Sequence, residues 1–139
     1  MTPAAAARLY ARAFPESRPW QESEFAALIA DPQVILCGDA FAMVIARIVL
    51  DEAEILTLAT NPDQRRQGLA RAALQTCETQ LRAHNVQSVF LEVAADNLAA
   101  QALYRGFGYI QAGKRANYYR RSDGAAVTAL ILRKDLAAN

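Results

Sequence analysis

The chain is poor in the residues that most often carry chemistry: among 139 residues there is one histidine, His84, and there are two cysteines, Cys37 and Cys77. A single imidazole and two thiols far apart in sequence supply no ligand set for a metal, so none is expected. Cys37 lies in a β-like run and Cys77 on an apolar helical face; both read as buried thiols of a reducing cytoplasm, not as disulfide partners. Neither G-x-G-x-x-G nor G-x-x-x-x-G-K-[ST] occurs, which removes two common nucleotide-binding loops. An excess of one charge is missing too. Fifteen Lys+Arg against fourteen Asp+Glu leave +1, so no direct nucleic-acid partner is expected. The longest apolar run, Phe41 to Leu50, is interrupted by Arg47 and is too short to cross a bilayer. The first residues lack the apolar core of a signal peptide, so no membrane partner is expected. Repeats, linkers and low-complexity segments are absent, which leaves one domain over residues 1–139.

What is present is a chain that is 53% hydrophobic, enough for a real core. Thr2 and Pro3 open a helix to about Ala13. A second helix, about Gln21–Ala30, carries Phe25, Leu28 and Ile29 on one face and stops at Asp31-Pro32. Val34–Cys37 turns through Gly38-Asp39 into Phe41–Leu50, a hairpin, and Asp51-Glu52-Ala53 turns again into a strand, Glu54–Thr60. A long helix, about Gln67–His84, places Ala70, Ala73, Leu74, Cys77 and Leu81 at helical spacing, and His84 sits where its C-terminal end favours positive charge. Ser88–Ala94 reads as an interior strand covered on both faces. Asp96 is placed to cap a short helix, Asn97–Arg105, that Gly106 would end. Phe107–Lys114 and Ala126–Arg133 finish as strands joined through a loop with Ser122-Asp123-Gly124. The order is a mixed α/β (α+β) layer structure with a helical crossover.

The most informative stretch is Arg65-Arg66-Gln67-Gly68-Leu69-Ala70, set between a strand and a helix. A helix start offers backbone N–H groups without internal partners and a partial positive charge. Gly68 and Ala70 let that backbone approach a bulky anion, and the arginines add charge. The pattern suits a pyrophosphate, although an arginine-rich helix start is also ordinary solvated surface.

Glu92 is the second anomaly. A carboxylate between Leu91 and Val93 in an interior strand must reach a cleft, pair with a cation or become neutral. A half-buried carboxylate accepts a proton nearer neutrality than a solvated one; a structural ion pair is the other reading. Asn97 and Tyr104 stand two helical turns apart and share a face that Ala100 keeps low. That face suits a ligand arm, or Tyr104 is a core residue with a wet hydroxyl.

Arg65, Gly68 and Ala70 fall on the fixed positions of (Gln/Arg)-x-x-Gly-x-(Gly/Ala), motif A of the GNAT superfamily of acetyltransferases, which the chain resembles. Leu91-Glu92-Val93, Asn97, Ala102-Leu103-Tyr104 and Phe107 resemble motif B, and more narrowly the ribosomal-protein-alanine N-acetyltransferases of the RimI type. Arg18-Pro19-Trp20 and Arg115-Ala116-Asn117-Tyr118-Tyr119 with Asp123-Gly124 extend the likeness to roughly residues 15–135. Two positions depart from the pattern: Thr60 replaces an apolar residue, and Ala125-Ala126 follows where an acid is frequent.

The resemblance implies the GNAT fold, in which the strand before motif A and the strand after its helix splay apart. It implies acetyl-CoA as co-substrate and the N-terminal α-amine of a small-subunit ribosomal protein as acceptor. The amides of Arg66, Gln67, Gly68, Leu69, Ala70 and Arg71 would hold the pyrophosphate. The edge of Leu58, Ala59 and Thr60 would bond the pantetheine and polarise the thioester, with Asn97 a further coenzyme contact. Glu92 would be the base and Tyr104 the acid near the coenzyme sulfur, while Trp20 and Tyr118 would border the acceptor. Neither cysteine is expected to form an acetyl-enzyme. An acetyltransferase of small amines or amino acids, and a non-catalytic acyl-CoA-binding module, remain the alternatives.

Overall fold

The computed structural model describes residues 1–121 and 123–136; Ser122 of the expected last loop lies outside the described residues. The helices are α1 (Pro3–Ala13), α2 (Glu22–Ala30), α3 (Leu69–Ala83) and α4 (Leu98–Gly106). The strands are β1 (Val34–Gly38), β2 (Ala42–Val49), β3 (Glu52–Thr60), β4 (Ser88–Ala94), β5 (Ile110–Arg120) and β6 (Ala126–Asp135). A short 3-10 turn, Pro62–Gln64, follows β3. Six strands form one sheet in the order β1-β2-β3-β4-β6-β5. Only β3 and β4 run parallel, joined by the α3 crossover, and the other pairs are antiparallel.

Each sheet face has its own core. Ala73, Leu74, Cys77 and Leu81 of α3, with Tyr104 of α4, pack on Val44, Ile55, Val89, Leu91 and Leu132. On the opposite face Ala6, Leu9 and Tyr10 of α1 and Phe25 of α2 cover Met43, Ile45 and Ala59. Burying one such large apolar side chain contributes roughly 1.5–3 kcal/mol. Cys37 and Cys77 are both buried and free, with their thiols hydrogen-bonded to each other. That bond, and then burial, push the Cys77 thiol up, so it stays protonated.

Several local expectations are corrected. The long helix begins at Leu69 rather than Gln67, because Gly68 takes a left-handed backbone, φ 75. The cap of α4 is Asn97 rather than Asp96: the Asn97 Oδ1 accepts the Ala100 N–H at 3.2 Å, while Asp96 pairs with Arg121 at 2.7 Å. Gly106 remains helical, and the left-handed glycine after the helix is Gly108, φ 96. Tyr109 is then the aromatic that plugs the core, and the strand starts at Ile110 rather than Phe107. Ile29 is 41% exposed, off the apolar face of α2. β4 is interior in the sheet, with Ser88, Val89, Leu91 and Val93 buried, but Phe90, Glu92 and Ala94 are only half-buried. His84 does end α3, with Nδ1 2.8 Å from the Gln80 carbonyl oxygen.

Candidate active site

A fork in the sheet builds the site. β3 pairs with β4 from Glu52↔Ser88 to Ile55↔Leu91 and no further. β3 continues along β2 to Thr60, and β4 continues along β6 to Ala94. Leu56 is the extra residue of a β-bulge, since Ile45 faces Thr57 while Ala46 faces Ile55. Bulges bend a strand and increase its twist, which helps to turn β3 away from β4. The edges of residues 56–60 and 92–94 are left facing a gap.

A cavity of about 670 Å³ fills that gap. Leu58 of β3, Glu92 of β4, Asn97 and Tyr104 of α4, and Trp20 of the α1–α2 connection all line it. Five of the sequence-derived candidates therefore meet on one wall system. Ala100 lines it as well, so the low face between Asn97 and Tyr104 does turn to the cavity. The side chain of Ala59 is buried on the opposite core, and Ala59 and Thr60 are not among the residues that line the cavity. Tyr118 is also outside it, half exposed, with the Arg115 guanidinium 5.1 Å from its ring centre.

Its neighbour Tyr119 takes the inward place. Two extra residues of β5 bulge between Arg115↔Ala129 and Tyr119↔Val127, with Asn117 at φ 53. Sequence reading missed Tyr119 because a bulge leaves no signature in strand alternation; the Tyr118-Tyr119 pair was visible, its facing was not. Thr57 and Tyr10 also line the cavity without having been singled out.

Glu92 reaches the cavity and pairs with a cation at once: its side chain is 18% exposed, and its Oε1 lies 3.4 Å from Arg115 Nε. Burial first, and then the neighbouring acidic groups of Cys77 and Tyr119, which resist a further negative charge, push the Tyr104 phenol up, so it remains a proton donor. Tyr109 meets the Tyr104 ring edge-on with centres 5.5 Å apart. Burial first, and the Glu92 charge second, push Tyr119 up to about 12. Glu54, half-buried on β3, is pushed up by burial and then by Glu92, against the pull of Arg47 and Arg115. Trp20 stacks on Tyr10 at 4.6 Å. Arg18 holds the same connection through Glu24, at 3.0 and 3.1 Å.

Beyond the fork lies the start of α3. Residues 65–68 are exposed, and Arg66 and Gly68 both take left-handed backbone, φ 65 and 75. The first helical bond runs from the Ala72 N–H to the Gly68 oxygen at 3.0 Å, so the amides of Leu69, Ala70 and Arg71 have no acceptor within the helix. A Cβ built on Gly68 meets nothing within 4 Å. Glycine is thus required there by φ and by the access it leaves, not by packing. An exposed start with turned amides and arginines fits a diphosphate. Arg71 itself leans over the Phe107 ring at 5.2 Å.

Residues 4–109 match the model of the acetyltransferase (GNAT) family. The [ribosomal protein bS18]-alanine N-acetyltransferase of Escherichia coli K12 is 40% identical over 110 residues, 76% of this chain and 74% of that protein. The N-alpha-acetyltransferase RimI of Mycobacterium tuberculosis is 32% identical over 131 residues, 88% of this chain and 81% of that one. The crystal structure of the Escherichia coli ribosomal-protein-S18-alanine N-acetyltransferase superposes with a TM-score of 0.86 at 35% identity, covering 96% of this chain and 87% of that one.

Proposed function

This chain belongs to the acetyltransferase (GNAT) family, and on that premise we propose that it transfers acetyl from acetyl-CoA to the α-amine of a protein beginning with alanine. By likeness to the Escherichia coli relative, the acceptor is ribosomal protein bS18, and the site of action is the cytoplasm. The observation that carries the reading is the fork: a carboxylate and a phenol, from β4 and α4, on the wall of one cavity.

Acetyl-CoA supplies the activated acetyl group as a thioester. The amides of Arg66–Arg71 hold its pyrophosphate, and the Leu58-Ala59-Thr60 edge with Asn97 orients the arm. Asn97 spends its carbonyl oxygen on the helix cap, which leaves its NH₂ group to donate. Glu92 takes a proton from the acceptor ammonium, directly or through water, and Tyr104 protonates the departing sulfur. An α-amine of pKa about 8 is far easier to deprotonate than a lysine near 10.4, so a carboxylate suffices as base. Trp20 and Tyr119 border the acceptor on the far side of the fork, with Tyr118 beside Tyr119 at its outer edge. The cysteines take no part: both are buried in the core, hydrogen-bonded to each other.

The test is to supply acetyl-CoA with peptides of different first residues, with free amino acids and with small amines, and to locate the acetyl group by mass spectrometry. Acetyl on the α-amine of alanine-initiated peptides is expected. Modification confined to small amines overturns the acceptor assignment, and no turnover with any amine overturns catalysis.

A further inference from the structure

Glu92 is not the only carboxylate at the fork. Glu54 on β3 lies opposite Phe90 on β4 in parallel register. Residues paired across strands share a face and side chains alternate along each strand, so Glu92, two places beyond Phe90, projects from the face that carries Glu54. Arg47 is the partner of Glu54 on β2, and Arg115 of β5 meets Glu92 at 3.4 Å. A row of cation, carboxylate, carboxylate, cation thus runs from β2 to β5, with Arg115 reaching past β6, just where β3 and β4 part. Among the described residues Glu54 has no ion pair of its own.

Glu54 and Glu92 are diagonal neighbours on adjacent strands, and like charges so placed disfavour each other. We propose that Glu54 is a positioning residue of the acetyl transfer, a second carboxylate whose charge on the neighbouring strand acts on Glu92 as it takes the acceptor's proton. The inference rests on Glu92 being the base. The N–H bond of the acceptor ammonium breaks as an O–H bond forms on Glu92. Water then takes the proton from Glu92, which restores its carboxylate; no electrons are exchanged. Burial and the Glu92 charge already hold the Glu54 carboxyl above the ordinary range. The groups facing the pair are Arg47 from β2, Arg115 and Tyr119 from β5, and Tyr10 from α1 beside Tyr119. With Tyr119 pushed up to about 12 and Tyr10 pushed up too, both phenols stay neutral near pH ~7, and Arg47 and Arg115 are the cations that oppose Glu54.

The experiment follows thiol release with a short alanine-initiated peptide across pH, for the wild type, E54Q, R47Q and E92Q. Loss of the Glu54 charge should move the acid limb of kcat/KM to lower pH by roughly half a unit or more, as expected for charges on neighbouring strands. It should lower kcat several-fold while the KM for acetyl-CoA stays within about twofold. R47Q removes a cation and leaves both carboxylates, so its limb should move to higher pH; it also decides the matter if E54Q fails to fold. Acid limbs unmoved in the folded variants, with E92Q inactive, overturn the role of Glu54 and leave Glu92 as the base. Wild-type turnover in E92Q overturns both.

Discussion

At the scale of single residues, the site depends on groups whose surroundings set their protonation. Tyr104 is 4% exposed and its phenol is pushed up chiefly by burial, so it keeps its proton through the neutral range. Tyr104→Phe preserves the ring that meets Tyr109 and removes the hydroxyl that carries that proton. Its kcat should fall by about 10²-fold or more, the usual contribution of a general acid, with the KM for acetyl-CoA little changed. Steady-state kinetics decide it, and unchanged turnover returns Tyr104 to a packing role. Gly68 makes the opposite kind of contribution, through backbone alone. Gly68→Ala meets no steric obstacle in the protein but puts a Cβ at φ 75, which costs roughly 1 kcal/mol of strain and narrows the approach to the amides. The affinity for coenzyme A, measured by calorimetry, should drop by more than that strain explains, while turnover at saturating coenzyme is largely kept.

At the scale of elements, the chain advertised its helices and strands well and the details of their ends poorly. Thr2 and Pro3 mark α1 unambiguously, and the Ser88–Ala94 run is a strand from end to end. Asp96 and Asn97 are adjacent and equally good caps; the choice fell to Asn97 because Arg121, distant in sequence, claims Asp96. Gly106 and Gly108 posed the same ambiguity, decided by which following aromatic fills the core. The facing of Tyr119 depends on a bulge that no periodicity reveals. Motif A was legible as a family pattern, and Glu92 and Tyr104 stood out by residue type and spacing; the structure brings both to one cavity wall. The α1–α2 connection offers an element-scale test. The Arg18 hydrogen bond first, and the Gln21 N–H second, hold the Glu24 carboxyl down to about 2. A depressed carboxyl stabilises the fold above its ordinary range and loses that contribution as pH falls through its folded value. The cavity wall at Arg18 and Trp20 should therefore hold at neutral pH and loosen only in strong acid. The carboxyl carbon of Glu24, followed by NMR, should titrate near 2 and move back toward 4.5 in Arg18→Gln.

At the scale of the whole molecule, α3 is fastened to the far half of the sheet by a buried charge. Glu78 sits on the apolar face of α3 with its side chain 4% exposed. It accepts from the Tyr109 hydroxyl at 2.9 Å and from Lys134 Nζ on β6 at 2.7 Å, with Arg82 at 3.8 Å on the surface side. Lys134 also lies over the rings of Phe107 and Tyr109, at 5.6 and 5.7 Å. The network therefore ties α3, the α4–β5 connection and β6 together behind Tyr104. Buried pairs contribute little net stability over an apolar replacement, but breaking one by removing a single partner is costly. Lys134→Met should destabilise by about 3–5 kcal/mol, because Glu78 keeps a charge that Tyr109 and Arg82 satisfy only in part. Adding Glu78→Leu to that variant should recover most of the loss. Chemical denaturation of the wild type, both single variants and the double variant gives the coupling directly. If the double variant is as unstable as Lys134→Met alone, the contribution of Lys134 lies in its packing over the aromatic rings and not in its charge.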